Sequence, residues 1–101
     1  MKLSINKEQI ITQLQSLAAV ADKKQTLPIL SNILIKADEE EIAFKSTDLE
    51  VELEFVIAHK SEIPGEITVP AKKIADIIKE LPDGQIHFEL NEDTTKLVIK
   101  S

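Results

Sequence analysis

The stretch DLEVELEFVI, residues 48–57, has the clearest strand signal in the chain. Successive side chains of a β-strand point to opposite faces, so a strand here would present apolar residues on one face and acids on the other. The apolar set is Leu49, Val51, Leu53, Phe55 and Ile57, and the acidic set is Asp48, Glu50, Glu52 and Glu54. One face in a core and one face in water is typical of an antiparallel sheet.

On both sides of this strand, shorter strand signals alternate with two helical patterns. The predicted strands lie around residues 3–5, 29–35, 42–44, 67–69, 86–90 and 97–99, and the predicted helices span 6–21 and 70–81. The order is strand, helix and three strands, followed by strand, helix and two strands. We therefore predict an α+β fold of two β-α-β-β-β units, with two helices packed on antiparallel sheet and the final strand of the second unit missing.

Both helical patterns begin with a start signal and continue with one apolar stripe. Asn6 followed by Gln9 is an amide variant of the capping box, and Pro70 is well placed to open the second helix. The first stripe comprises Ile10, Ile11, Leu14, Leu17, Ala18 and Ala21, and the second comprises Ile74, Ile77, Ile78 and Leu81. Stripes at this spacing are expected to face the core.

Length and composition restrict the classes to which the chain can belong. It has 101 residues, a formal net charge of -6 and 43% hydrophobic residues, enough for one domain with a modest core. No apolar run approaches the roughly 18 residues of a membrane span. The absence of cysteine excludes disulfides, thiolate zinc sites and thiol nucleophiles, and it fits the cytoplasm. The negative charge argues against nucleic-acid binding by bulk attraction.

Residues that could support catalysis or bind a metal are scattered along the sequence. His59 and His87 lie far apart, and neither has a histidine partner at metal-binding spacing. The two glycines, Gly65 and Gly84, form no phosphate-binding loop. The acids of residues 48–54 fit a solvated sheet face better than a cation site, because no second element supplies ligands. We predict no catalytic site, no metal and no cofactor.

The lysines are distributed differently from the acids. Lys72 and Lys79 lie one heptad apart on the second predicted helix, opposite its apolar stripe, with Lys73 toward one flank. Lys23 and Lys24 follow the first helix in a charged loop. If both helices lie on one side of the sheet, the domain has a mildly basic face and a strongly acidic back. Ordinary solubilising lysines would give the same pattern, so charge alone leaves both interpretations open.

Four short motifs connect the chain to a known family. TLPILSN (26–32), STDLE (46–50), VPAKK (69–73) and LPDG (81–84) occur in the order and spacing of the bacterial sliding clamp. The chain resembles the N-terminal domain of this family, the β subunits of DNA polymerase III, over its whole length. The resemblance implies a ring of two subunits with three similar domains each, in which helices line the hole and sheets form the outer wall.

The function implied by the resemblance is that of a DNA polymerase processivity factor. Such a clamp encircles double-stranded DNA and tethers the replicative polymerase, and it has no catalytic activity of its own. A ring that encloses DNA cannot leave it sideways, so its inner contacts need only be few, weak and independent of sequence. Lysine contacts to phosphate meet that requirement.

The resemblance also implies roles for individual lysines. Lys24 matches a basic DNA-contact position before the Thr-Leu-Pro motif, with Lys23 beside it, and Lys72 matches the DNA contact after Val-Pro-Ala. Lys79 matches a basic inward position one heptad later, and Lys73 falls near the subunit interface. Family members often have arginine at the positions of Lys24 and Lys72, where lysine keeps the charge but loses the bidentate fork.

One departure from the family pattern lies at the end of the chain. The family domain continues past the predicted strand at 97–99 into another strand, which forms much of the head-to-tail contact with the second clamp subunit. We therefore expect residues 1–101 to be a fragment of the N-terminal clamp domain. The polymerase and the clamp loader are expected to bind through later domains that are absent here.

Two other functions are compatible with the sequence. The chain could be a small acidic adaptor that binds a basic partner protein through the face formed by residues 48–54. It could also be an enzyme that depends on His59 or His87, although neither histidine has a catalytic partner in the sequence pattern.

Overall fold

The computed structural model describes residues 1–21, 32–47, 50–91 and 96–101, which form a helix layer on antiparallel sheet. The strands are β1 Lys2–Asn6, β2 Asn32–Ala37, β3 Glu41–Thr47, β4 Glu52–Ala58, β5 Gly65–Pro70, β6 Gln85–Asn91 and β7 Lys96–Lys100, and the helices are α1 Lys7–Ala21 and α2 Ala71–Glu80. This order confirms the two predicted units, β1-α1-β2-β3-β4 and β5-α2-β6-β7. Within the described residues no strand follows β7, so the second unit is one strand shorter than the first.

The strands form two antiparallel sheets, which the sequence pattern does not separate. One sheet has the strand order β1-β6-β7, and the other has the order β4-β3-β2-β5. The two units exchange their first strands: β1 pairs with β6 of the second unit, and β5 pairs with β2 of the first. Because neither unit completes a sheet alone, the exchange joins them into one domain.

A continuous hydrophobic core lies between the helices and the inward faces of both sheets. Phe44 of β3 and Phe55 of β4 are register partners, and their rings stack with centroids 4.7 Å apart. The buried Ser46 hydroxyl donates a hydrogen bond to the Leu17 carbonyl of α1, with 3.0 Å between Oγ and O. This bond satisfies a buried polar group and fixes α1 against β3.

Helix α1 agrees with its predicted stripe. Its fully buried members are Ile10, Leu14, Leu17 and Ala18, and Ile11 is half-buried. The Gln9 side chain accepts a hydrogen bond from the Asn6 backbone N–H at 3.3 Å, as the amide variant of the capping box predicts. The side chain of Ala21 lies outside the described part of the structure.

The apolar stripe of α2 is rotated from the predicted one. Ile74 and Ile78 are buried as predicted, but Ile77 is 39% exposed, and Ala71 and Ala75 complete the buried face instead. At about 100° per residue, Ile77 lies about 60° from Ile74, on the side away from Ala75. The prediction for Ile77 was wrong because the buried face of α2 is completed by two small alanines, whereas the sequence pattern assigned that face to the larger isoleucines.

The ends of α2 also differ slightly from the prediction. Pro70 is the last residue of β5 and the N-cap of the helix, which begins at Ala71. Leu81 is half-buried and follows the last helical residue, and its N–H donates to the Ile78 carbonyl at 3.2 Å. Gly84 ends the turn with a φ of 117°, a conformation that side-chain-bearing residues rarely adopt.

Strand β4 is shorter than the alternation predicts. Its pairing with β3 ends at the Thr47–Glu52 pair, and the preceding Val51 is 53% exposed rather than buried. Val51 precedes the first residue of β4, and its carbonyl accepts a hydrogen bond from the Thr47 hydroxyl at 3.0 Å. The alternation of β4 therefore does not extend to Val51, and its predicted burial was wrong. Leu53, Phe55 and Ile57 are half-buried and pack against the core, in agreement with the predicted inward face. Leu49 lies outside the described residues, so its predicted burial stays a prediction.

The connection between β2 and β3 is a tight acidic turn. The Asp38 carboxylate accepts hydrogen bonds from the backbone N–H groups of Glu40 (2.9 Å) and Glu41 (2.8 Å). These two bonds stabilise the ionised form and lower the pKa of Asp38 below its usual value. The Asp38 carboxylate therefore has a local structural role in this turn.

Candidate nucleic-acid interface

Helix α2 presents three exposed lysines to solvent. Lys72 and Lys79 are seven residues apart, which places them about 20° apart around the helix and about 10 Å apart along its axis. Lys73 is exposed as well, and Asp76 is the one acid between Lys72 and Lys79. The structure therefore brings Lys72 and Lys79 together on one line along α2.

The two flanks of α2 have different surroundings. Lys73 and Ile77 border a groove of about 350 Å³, which is also lined by Ile67 of β5 and Leu97 of β7. Lys72 lies with Lys79 on the other flank of α2, beyond the buried Ala71 and Ala75. Lys73 is therefore separated from the two lysines predicted to contact DNA, and its predicted place near a subunit interface stays a prediction.

The three α2 lysines are not neutralised within the described part of the chain. Neither Lys72, Lys73 nor Lys79 forms an ion pair with a described residue. A cation that faces water without a carboxylate partner keeps its charge available for an external anion. The line of Lys72 and Lys79 can therefore attract an extended anionic ligand such as a phosphate backbone.

Helix α1 presents a neutral polar surface next to α2. Its exposed positions include Gln9, Thr12, Gln13 and Ser16. The Ser16 hydroxyl donates to the Thr12 carbonyl at 3.2 Å, which occupies that donor within the helix. The helix layer thus has cations on α2, whereas these positions of α1 are uncharged.

The outer face of the four-stranded sheet shows the opposite arrangement. Lys45 of β3 lies within ion-pair distance of Glu52 (3.1 Å) and Glu54 (3.5 Å) of β4. The hydrogen bond and the charge of Glu52, followed by the charge of Glu54, raise the pKa of Lys45. The predicted acidic face is therefore partly neutralised by this lysine.

Several predicted site residues fall outside the described residues. They are Lys23 and Lys24 of the predicted loop contact, and Asp48 of the predicted acidic face. Their roles stay predictions.

A lysine that the sequence interpretation does not single out lies beneath the end of α2. The Lys7 ammonium donates hydrogen bonds to the backbone carbonyls of Lys79 (2.9 Å) and Leu81 (2.6 Å). It also lies 3.8 Å from the Asp83 carboxylate. One sequence signal indicates such a role. A cation in the first turn of a helix is unfavourable for that helix, so the position of Lys7 suggests a partner elsewhere in the fold.

Among the residues that the structure describes, the two histidines take part in no recognisable catalytic arrangement. His87 lies on the exposed face of β6, where its Nδ1 is 2.6 Å from the Ser4 hydroxyl, and His59 follows β4. Among the described residues, no group of three or more His, Cys, Asp or Glu side chains is placed to hold a metal ion. Neither described helix has the length and apolarity that crossing a membrane would require.

Comparison with known proteins gives a consistent result. The chain matches the family described as DNA polymerase III beta subunit, N-terminal domain, over residues 1–101. It is 39% identical over 102 residues to the beta sliding clamp of Pseudomonas aeruginosa, a match that covers all of this chain and 28% of the relative.

Solved structures agree with this match. The structure titled Caulobacter crescentus pol III beta superposes with a TM-score of 0.89 at 35% identity, covering 99% of this chain and 27% of that one. The DNA polymerase III subunit beta of Pseudomonas aeruginosa superposes with a TM-score of 0.88 at 40% identity, with the same coverage. The chain thus spans about a quarter of the length of these proteins, and it belongs to the DNA polymerase III beta subunit family, in the part described as the N-terminal domain.

Proposed function

We propose that this chain is a domain of a ring-shaped sliding clamp, a processivity factor that encircles double-stranded DNA and tethers the replicative polymerase. The observation that supports it best is the exposed line of Lys72 and Lys79, which form no ion pair with a described residue, on the helix layer of a domain in this family. In such a ring the helix layer faces the DNA and the sheets face outward. The net charge of -6 is compatible with this arrangement, because only the inner surface must attract DNA.

The proposed contacts with DNA are electrostatic and independent of sequence. Lys72 and Lys79, together with Lys23 and Lys24, would reach phosphate oxygens rather than base edges. Each such contact releases condensed counterions, so affinity should fall with salt by a logarithmic slope of about 0.9 per phosphate contacted. Weak contacts of this kind retain attraction while allowing the ring to slide.

The remaining partners in this proposal follow from the family. A second clamp subunit would close the ring near Lys73, and the polymerase and the clamp loader would bind other domains of the longer protein. The protein would act in the cytoplasm as an accessory subunit without its own catalytic site. An acidic adaptor is less well supported, because Lys45 neutralises part of the surface that would bind a basic partner.

A topological experiment tests the proposal. This chain would replace the aligned N-terminal residues of the Pseudomonas aeruginosa clamp, and the chimera would be loaded onto a nicked circular plasmid by the Pseudomonas loader. Enclosure predicts retention on the circle and loss after a restriction enzyme linearises it, both followed by gel filtration. Equal retention on linear DNA, or loss from a circle that the unaltered Pseudomonas clamp does not leave, would contradict the proposal.

A further inference from the structure

The Lys7 side chain makes its contacts inside the protein, although it belongs to the first turn of a surface helix. Its side chain is only 13% exposed. Its ammonium is 2.9 Å from the Lys79 carbonyl, 2.6 Å from the Leu81 carbonyl and 3.8 Å from the Asp83 carboxylate. The charge of Lys7 is thus directed at the end of α2 and away from solvent.

Further hydrogen bonds join the first turn of α1 to the turn that follows α2. The Lys7 backbone N–H donates to the Gly84 carbonyl at 2.9 Å, and the Gly84 N–H donates to the Glu8 carboxylate at 3.2 Å. The first turn of α1 and the turn that ends α2 therefore hold each other through side-chain and backbone bonds. This set of contacts is called the α1–α2 junction below.

Helix electrostatics explain why a lysine stands at this position. The last carbonyls of a helix lack backbone partners and have a partial negative charge, which an ammonium group complements. At the start of its own helix the same ammonium is unfavourable. The presence of a lysine at position 7 is therefore explained by its contacts with the end of α2. Its position at the start of α1 does not explain it.

We propose that Lys7 is a positioning residue for DNA contact: it holds the last turn of α2 so that the Lys79 ammonium stays in line with Lys72. This inference rests on the proposed function. Lys7 bonds directly to the backbone carbonyl of Lys79, whereas Lys72 lies at the other end of α2. Loss of the junction should consequently affect Lys79 and leave Lys72 in place.

The test measures how the affinity of the chimeric clamp for a short duplex depends on salt. Each variant would first be confirmed as a closed dimer by light scattering. Lys7→Met should lower the logarithmic salt slope by about 0.9, the value of one phosphate contact, and Lys79→Gln should lower it equally. The double variant should show no further fall, because both changes remove the same contact. Lys7→Arg should keep the parental slope, since it preserves the charge and the donors.

A charge-balanced variant separates positioning from simple charge. Lys7→Met with Asp83→Asn has the parental net charge but lacks the ammonium that holds the carbonyls, so its slope should stay low. Recovery of the parental slope would overturn the proposal, because Lys7 would then act only through its charge. If Lys7→Met prevents ring closure, Lys7→Gln, which keeps N–H donors but loses the charge, should give an intermediate slope, and a parental slope would overturn the proposal.

Failure of this inference can be distinguished from failure of the proposed function. If Lys79→Gln lowers the slope and Lys7→Met leaves it unchanged, DNA contact stands and the role of Lys7 is overturned. If Lys72→Gln and Lys79→Gln both leave the slope unchanged, the proposed contact surface itself is overturned, together with the role of Lys7.

Discussion

Lysines in two regions of this domain have different electrostatic surroundings. On the outer sheet face, Lys45 lies between Glu52 and Glu54, and these carboxylates raise its pKa. On α2, Lys72 and Lys79 are exposed and make no ion pair with a described residue. The comparison shows that the position of a lysine in the fold decides whether its charge is available to a ligand.

Secondary-structure geometry produces this difference. Antiparallel register places Lys45 directly opposite Glu54, and cross-strand neighbours of opposite charge attract each other. Helical spacing places Lys72 and Lys79 on one line and turns the acid between them, Asp76, about 40–60° away. A net charge of -6 therefore coexists with a basic strip on the helix layer.

The largest expected effect comes from removing the packing that holds α2 in place. Ile78 is fully buried, so Ile78→Ala should lower the free energy of unfolding by about 2–5 kcal/mol. Ile77→Ala is the matched control on the same helix, and its cost should be clearly smaller because Ile77 is partly exposed. Chemical denaturation of both variants measures this difference, and equal losses would contradict the assigned orientation of α2.

A smaller effect is expected at the turn that ends α2. Gly84 has a φ of 117°, so Gly84→Ala should destabilise the domain by about 1–2 kcal/mol through backbone strain. No atom lies within 4 Å of the added Cβ, so a steric clash is not the cause. Glu80→Ala, at an exposed position four residues earlier, is the control and should stay within about 0.5 kcal/mol of the parent. Similar thermal unfolding of the two variants would refute the strain argument.

A lysine added to α1 should affect DNA binding more than a lysine added to the outer sheet. Gln13 is exposed on α1, and Gln13→Lys in the chimeric clamp should steepen the salt slope of duplex binding by at most about 0.9. Thr68→Lys adds the same charge to the exposed outer face of β5 and should leave the slope unchanged. An equal response to both substitutions would show that net charge, and not location, controls binding.

The smallest expected effect is a pH dependence on the outer sheet face. Because the folded pKa of Lys45 is raised, its stabilising contribution is fully present below its unfolded pKa of about 10.4 and is lost as the pH rises through the folded pKa. The stability difference between the parent and Lys45→Gln should therefore shrink in alkaline solution. In a protein that carries Glu52→Gln and Glu54→Gln, the stability change caused by Lys45→Gln should not depend on pH. A pH dependence that persists there would show that these two carboxylates are not its cause.

Much of the fold could be predicted from the sequence because hydrophobic periodicity reports secondary structure directly. The element order and the described members of the α1 stripe were predicted correctly. Errors occurred where periodicity does not decide the contact: at Val51, which precedes the first residue of β4, and at Ile77, which lies on a flank of α2. The separation into two sheets depends on long-range pairing, such as that of β1 with β6, which no local pattern contains.

The candidate site was only partly predictable. Helical spacing was sufficient to place Lys72 and Lys79 together, because both lie on one regular element. The role of Lys7 could not be derived in that way, since its ammonium binds carbonyls more than seventy positions away, with separations of 72 and 74. The pairing of Lys45 with Glu54 likewise required the strand register.

The salt dependence of duplex binding measures whether the helix layer is the surface that contacts DNA. Two variants of the chimeric clamp would be compared, Lys72→Gln with Lys79→Gln on α2, and Lys36→Gln with Lys45→Gln on the outer sheet face, each losing two positive charges. Fluorescence anisotropy at several salt concentrations should show the logarithmic slope falling by about 1.8 for the α2 pair and staying at the parental value for the outer pair. Equal slopes for the two variants would contradict the claim that the helix layer is the surface that contacts DNA.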